Sequence, residues 1–323
     1  MQSPLVLVTE PLDPAPMSWL AQRARVVQAA PGVAGFDSAA AEAAGMVVRT
    51  YTTVDAALLA QMPRLQVVGR AGVGLDNIDL PTCRARQVQV VHTPDANTQA
   101  VVEYVLCLLC DTLRPRLFLN RALDAAAWNA ARADVRGDRQ MSQMQLGILG
   151  MGRIGQRVAQ VARAIGFRVA YTDIVEVPDA QRHGAMPVSV EQLFATSDVV
   201  TLHIDGRPSN RGYVNAALLE RMRPDAVLLN TCRGMVLDTA ALAAFLRAHP
   251  KATAVLDVHE PEPFGADYPL LGLSNALLAP HLASRTVTAM EAMSWVVRDV
   301  WAVLQGERPQ WPAPVHPGPA DSA

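Results

Sequence analysis

Arg233, Glu262 and His281 are the residues of this chain whose types combine into a recognisable reaction. A guanidinium pairs with a carboxylate in a two-pronged fork and polarises a carbonyl beside it. An imidazole gives a proton to that carbonyl oxygen as hydride arrives, or takes the hydroxyl proton in the reverse direction. A carboxylate next to the imidazole orients the ring and favours its protonated form. Together they suit interconversion of a 2-keto acid and a 2-hydroxy acid. Taken singly they read as a surface arginine, a loop glutamate and a capping histidine. Their shared placement argues otherwise, because Arg233 follows the apolar run LLNTC, Glu262 follows LDV and His281 follows LLAP. In open α/β sheets ligands bind outside the carboxyl ends of the strands, which is where such positions fall.

A second motif supplies the hydride donor that this set requires. Gly147-Ile148-Leu149-Gly150-Met151-Gly152-Arg153-Ile154-Gly155 closes a strand-like run and opens a helical one, expected over Arg153–Ile165. Gly150 permits the tight turn, Gly152 lets backbone approach a pyrophosphate, and Gly155 lets the helix pack closely on the sheet. The helix N-terminus then faces the phosphates. Asp173 ends the next strand-like run, 23 positions after Gly150. A carboxylate there accepts from both ribose hydroxyls and repels a 2′-phosphate, so the expected cofactor is NAD.

These residues need a scaffold, and the rest of the chain reads as one. Short apolar runs at 5–8, 24–28, 46–49, 65–69 and 88–91 alternate with helical stretches such as Val54–Gln61. A long helix from about Asn97 to Leu113 then leads to a second series at 144–149, 167–172, 198–203, 226–230, 253–258 and 275–279, expected as a six-stranded sheet. The final helix, roughly Ser284 to Gln305, is expected to cross back onto the first series, and the Pro-rich tail after it to be extended or disordered. The segment Ala122–Gln143 is polar and rich in alanine and arginine. The fold class is thus α/β, with two doubly wound parallel-sheet domains.

Composition agrees with that scaffold. Half of the 323 residues are apolar, 18% are charged and the formal net charge is −2, which gives no electrostatic reason to expect nucleic acid or a membrane surface as partner. The start MQSPLVLVTE has no basic region and only a short apolar run, so a secretory signal is not expected. Cys83, Cys107, Cys110 and Cys232 form no metal-ligand set. Cys107 and Cys110 are expected to be buried core thiols in an apolar helix. The expected setting is a reducing cytoplasm.

The stretches GRAGVGLDNID (69–79), NTQAVVEYV (97–105), GILGMGRIGQRVA (147–159), LLNTCRG (228–234), LDVHEPEP (256–263) and APHLAS (279–284) resemble those of D-isomer-specific 2-hydroxyacid dehydrogenases over nearly the whole chain. The resemblance implies a catalytic domain of 1–97 plus 285–323, an NAD domain of 98–284, the active site in the cleft between them, and a homodimer formed largely through the NAD domains. It implies cofactor contacts from Gly150, Gly152, Arg153, Ile154, Gly155, Asp173, Ile204, Thr231, Cys232, Arg233, Asp257, His281 and Ser284. The substrate falls to Arg49, Arg70 and the loop Ala71-Gly72-Val73-Gly74, whose amide groups can cradle a carboxylate. VVRTYTTV and VVGRAGVGLDNIDL look most like D-3-phosphoglycerate dehydrogenases without their C-terminal regulatory domain, so feedback control through such a domain is not expected. Arg49 and Arg70 would then take a phosphate. Glyoxylate or hydroxypyruvate reductases and erythronate-4-phosphate dehydrogenases are alternatives, and an NAD-sensing corepressor is the rival from another class. One departure is His203-Ile204-Asp205-Gly206 where the family often has His-x-Pro-Leu, with Asp205 expected to add negative charge. Whether Trp128 serves a partner subunit is left open by the sequence.

Overall fold

The computed structural model describes residues 3–135, 137 and 139–314. The chain divides into two compact units. The described residues of Met1–Asn97 and Arg285–Ala323 form the first, and Thr98–Ser284 the second.

In the first unit the strands are β1 (Leu5–Val8), β2 (Arg25–Gln28), β3 (Gly45–Val48), β4 (Val67–Arg70) and β5 (Gln89–His92), all parallel, in the order β2-β1-β3-β4-β5. LVLV, GMVV and VVGR are buried along their whole length, as strands covered on both faces must be. The helices between them are α1 (Pro14–Ala21), α2 (Phe36–Glu42), α3 (Ala56–Ala60) and α4 (Leu80–Ala85). Asp55 and Asp79 cap α3 and α4 by accepting from backbone amides of their first turns.

The second unit opens with α5 (Thr98–Leu113) and α6 (Ala125–Asp134). Its sheet comprises β6 (Gln145–Leu149), β7 (Arg168–Thr172), β8 (Met186–Pro187), β9 (Val199–Leu202), β10 (Val227–Asn230), β11 (Thr253–Leu256) and β12 (Ala276–Leu278), in the order β12-β11-β10-β9-β6-β7-β8. Helices α7 (Arg153–Ala164), α8 (Val190–Thr196), α9 (Ala216–Leu219) and α10 (Thr239–Ala248) connect the strands. The strand order reverses between β6 and β9, the switch point where dinucleotides bind in such sheets.

Three expectations need correction. The second sheet has seven strands, not six, because Met186–Pro187 pairs with Ala170 and Tyr171; two residues carry no periodicity to read. The last helix is two, α11 (Val287–Ser294) and α12 (Val297–Leu304). The buried Ser294 hydroxyl bonds back to Met290 O at 2.8 Å and accepts from Asp13 N at 3.0 Å, a competition that bends helices. Cys107 is exposed and Cys110 half-buried, since α5 buries the stripe Val101, Val102, Val105 and Leu109 instead.

Helix α12 lies within the first unit, where Val296, Val297, Val300 and Val303 pack with Val6, Val8, Val47 and Val67. Beyond it the chain runs extended beside β5, with Ala313 N donating to Val90 O at 2.7 Å. The rest of the Pro-rich tail, 315–323, lies outside the described residues.

Candidate active site

The glycine-rich turn sits at the carboxyl end of β6. Gly150 has φ +96°, and a Cβ on it would come within 2.7 Å of His203 O, so glycine is required there on two counts. Gly152 is the N-cap of α7, and a Cβ on it would meet nothing within 4 Å. Helix α7 begins without a side-chain cap hydrogen bond, as α1, α2 and α12 also do. An open space above an uncapped first turn suits a pyrophosphate. At the end of β10 the Thr231 Oγ1 is buried with no hydrogen-bond partner among the described residues, a polar atom that suits a ligand. The residues present therefore fit a dinucleotide. Arg153 and Ile154 begin α7, and Ile204 lies against Gly150.

Asp173 follows β7 and accepts from Met151 N at 2.6 Å and Val175 N at 3.0 Å, which ties the glycine turn to the neighbouring strand end. Beside it is a cavity of about 310 Å³ lined by Thr172, Asp173, Ile174, Val175, Arg182 and Pro187. The expected surplus charge of Asp205 is corrected: Arg207 Nε meets its carboxylate at 2.7 Å, and Asn210 Nδ2 donates to it at 3.0 Å. His203 is held neutral, since burial pushes it down to about 3.

Arg233, Glu262 and His281 all belong to the second unit. Asn230, buried at the end of β10, donates from Nδ2 to Arg233 O at 2.9 Å and accepts from Cys232 N at 3.0 Å. That side chain shapes the turn presenting Arg233, whose Nη1 donates to Cys232 O at 2.6 Å. After β11 the chain folds on itself, so that Glu262 Oε1 accepts from His259 N at 2.7 Å. Its other oxygen, Oε2, meets His281 Nδ1 at 2.8 Å. Burial pushes the Glu262 carboxyl up, but the His281 hydrogen bond and the His259 amide outweigh it and leave it below the usual glutamate range. Glu262 is therefore an ionised acceptor, and Nε2 is the nitrogen of His281 left to face a reactant.

His281 adopts φ +55°, an uncommon conformation for a side-chain-bearing residue. Asp257 fixes it. The Asp257 backbone carbonyl accepts from His281 N at 2.8 Å, and its carboxylate accepts from Leu282 N at 2.7 Å and Ala283 N at 2.8 Å. Burial raises the Asp257 carboxyl despite those two amides. Ser284 follows directly. His259, by contrast, is structural: it is buried, with Nδ1 on Tyr268 Oη at 3.1 Å and Nε2 on Ala279 O at 2.9 Å.

In the first unit, Arg70 is buried with its guanidinium folded onto its own loop, Nη1 donating to Ala71 O at 3.2 Å. The Ala71 and Gly72 amides are taken by Val48 O and Arg70 O, both at 2.8 Å. Val73 and Gly74 carry the loop amides outside that network among the described residues. Arg49 points elsewhere, Nη1 to Pro11 O at 3.3 Å and Nη2 to Met290 Sδ at 3.1 Å. Sequence reasoning passed over Glu10, Asn77 and Asn230, whose side chains shape these loops. Their signal was faint, a single polar residue within or just after an apolar run.

The family model described as "D-isomer specific 2-hydroxyacid dehydrogenase, NAD binding domain" matches residues 106–283. The D-3-phosphoglycerate dehydrogenase of Mycobacterium bovis is 34% identical over 95% of this chain, and the chain spans 58% of that relative's length. The glyoxylate reductase of Aeropyrum pernix is 33% identical over 84% of this chain and 83% of its own. Among solved structures, the TT0316 protein of Thermus thermophilus superposes with a TM-score of 0.81 at 32% identity, covering 96% of this chain and 100% of that one.

Proposed function

Since the chain belongs to the D-isomer-specific 2-hydroxyacid dehydrogenases, we propose that it interconverts a small D-2-hydroxy acid and its 2-keto acid with NAD. The observation that carries this reading is the Glu262–His281 pair, 2.8 Å apart, at the same sheet edge as the glycine turn and Arg233. A bound nicotinamide cofactor supplies or accepts the hydride. Arg233 pairs with the substrate carboxylate and polarises the adjacent carbonyl. His281 Nε2 delivers the proton to the carbonyl oxygen, or removes it from the hydroxyl, while Glu262 fixes Nδ1 and compensates the charge. Asp257 holds the turn that carries His281.

Gly150, Gly152, Arg153, Ile154 and Gly155 receive the pyrophosphate. Asp173 takes the ribose hydroxyls and favours NAD over NADP, with Ile204, Thr231, Cys232 and Ser284 completing the cofactor contacts. The first unit, 1–97 with 285–323, is the substrate-binding domain: in the loop Ala71–Gly74 the Val73 and Gly74 amides cradle the carboxylate, those of Ala71 and Gly72 being taken by the backbone, and Arg49 and Arg70 favour a phosphorylated acid such as 3-phosphohydroxypyruvate. The relatives named for D-3-phosphoglycerate support that substrate, and the relative named for glyoxylate supports the alternative.

The protein works as a homodimer. Leu117, Phe118 and Leu119 are 55%, 83% and 48% exposed and Trp128 is 49% exposed, an apolar surface suited to a second copy. Sedimentation that returned a monomer at micromolar concentration would count against it. Four free cysteines support a reducing, cytoplasmic setting, and among the described residues no helix is long and apolar enough to cross a membrane.

The test is reduction of 3-phosphohydroxypyruvate, hydroxypyruvate, glyoxylate and pyruvate with NADH and with NADPH. Turnover of at least one acid with NADH preferred is expected. Inactivity toward every acid overturns the reading, and a preference for NADPH overturns the role of Asp173.

A further inference from the structure

The peptide groups of the loop after β4 are aimed by donors at the ends of two strands. Its Val73 and Gly74 amides lie outside the backbone network among the described residues, and both residues are half-buried. What directs these amides is bonded to the opposite edge of the same peptide units. Gly72 O accepts from Thr93 N at 3.1 Å, and Val73 O meets His92 Nδ1 at 3.0 Å. A carbonyl oxygen only accepts, so Nδ1 is the nitrogen of His92 that carries a proton here. In a trans peptide the carbonyl of one residue and the amide of the next point in opposite directions. Holding Gly72 O therefore turns the Val73 N–H away from the end of β5, and holding Val73 O turns the Gly74 N–H away from it as well. Two successive amides facing one side form a concavity for an anion.

The strands place His92 for this task. It ends β5 and is the register partner of Arg70, which ends β4. Register partners on neighbouring parallel strands stand on the same face of the sheet, so the two side chains flank the loop together. The Arg70 guanidinium lies against Gly72, where a Cβ would collide with it, and its Nη1 donates to Ala71 O at 3.2 Å. Three successive carbonyls, those of Ala71, Gly72 and Val73, are thus each held by a donor from a strand end. The donor to Gly72 is a backbone amide, which any residue but proline supplies. The donor to Val73 is a side chain, so it depends on the residue type at position 92. His92 is itself fixed, its own amide donating to Trp311 O at 3.1 Å.

We propose that His92 is a positioning residue for the substrate carboxylate: its Nδ1–H holds the Val73 carbonyl and thereby aims the Gly74 amide, in line with that of Val73, at the anion. The inference rests on the dehydrogenase reading and its carboxylate cradle, and adds the group that gives the cradle its direction. His92 touches no reacting atom, so it governs how tightly the acid is held rather than how fast hydride moves.

The experiment compares the wild type with His92→Phe, which keeps a ring without the donor, His92→Leu, which removes both, and His92→Asn, whose side-chain amide places an N–H where the imidazole has Nδ1. KM and kcat are measured for the best reduced of 3-phosphohydroxypyruvate, hydroxypyruvate, glyoxylate and pyruvate and for the carboxylate methyl ester of that acid, beside the inhibition constant of oxamate and the affinity for NADH. His92→Phe and His92→Leu are expected to raise KM for the acid and the oxamate constant about tenfold, as a charge-assisted bond is misaimed. Their kcat should stay within about threefold, since the lost contact is made in the ground state too. The ester, which brings no anion to the two amides, should change by less than about twofold in kcat/KM. NADH affinity should hold, and His92→Asn should restore KM to within about threefold of the wild type. The leucine and asparagine variants decide the matter if the phenylalanine variant does not fold. An unchanged KM, equal losses for acid and ester, or an asparagine variant as impaired as the leucine one overturns the role of His92 alone. A wild type that reduces none of the four acids overturns the dehydrogenase reading and this inference with it.

Discussion

At the scale of single residues, the site divides into groups that do chemistry and groups that hold them still. His281 would move the proton, and removing it should cost about 10²–10⁴-fold in kcat, the usual worth of a general acid, while NADH binding measured by fluorescence persists. Near-normal turnover in His281→Ala would sink the mechanism. Glu262 acts through His281: it lies below the usual glutamate range and stays charged at neutral pH. Glu262→Gln can keep the hydrogen bond to Nδ1 through its one amide oxygen, at the expense of the bond from His259 N, and removes the charge, so the protonated imidazole loses its counter-ion. The limb of the pH–rate profile that reports loss of the acid form should move to lower pH, and an unmoved limb would show that Glu262 only orients the ring. The residues proposed to be catalytic could be picked out because each is a reactive type at or shortly after the end of an apolar run. Asn230 and Asp257 were harder to assign. The sequence marks Asp257 as a cofactor contact, but only the fold shows its carboxylate holding two amides of the His281 turn.

At the scale of elements, the sequence was most legible where a strand is buried on both faces, because β-branched runs such as LVLV and TAVL leave little choice. It was least legible where one side chain overrides local periodicity. Ser294 divides a continuous helical pattern into α11 and α12 through hydrogen bonds to Met290 and Asp13, and Asp13 is 281 positions away in the chain. Glu10 organises a loop some 40 positions downstream. Its carboxyl is pushed up by burial, but four backbone amides pull it below the ordinary value of 4.5. A depressed folded-state value stabilises the fold above the unfolded-state value and loses that contribution as pH falls through the folded one. Glu10→Gln should therefore cost about 1–3 kcal/mol at pH 7, from amides left poorly satisfied. The gap to the wild type should narrow as pH falls below the unfolded-state value of about 4.3 and close only below the lower folded-state value, where the Glu10 side chain becomes neutral. Urea denaturation at several pH values measures this, and a gap independent of pH would refute the ionised role.

At the scale of the whole molecule, both sheets were readable as parallel α/β series, including the long helix that opens the second. The pairing order was not readable, because strand neighbours are chosen by crossover handedness and helix packing rather than by any one strand. The cavity beside Asp173 was equally invisible, since it is assembled from a strand end, a loop and the edge residue Pro187. One consequence of the glycine turn concerns how separable folding and function are in this chain. Gly152 has an ordinary φ of −73° and open space where a side chain would begin. A methyl group there meets no protein atom and reduces the freedom of the unfolded chain, worth about 0.4–1 kcal/mol, while alanine is a poorer N-cap than glycine by a similar amount, so Gly152→Ala should change stability by less than about 1 kcal/mol. The same methyl group occupies the volume assigned to the pyrophosphate. Glycine at this position would then answer to the vacancy rather than to the fold, and a thermal melt set beside an NADH titration would expose it: the variant should melt close to the wild type and bind weaker, and unchanged binding would refute the place assigned to the pyrophosphate.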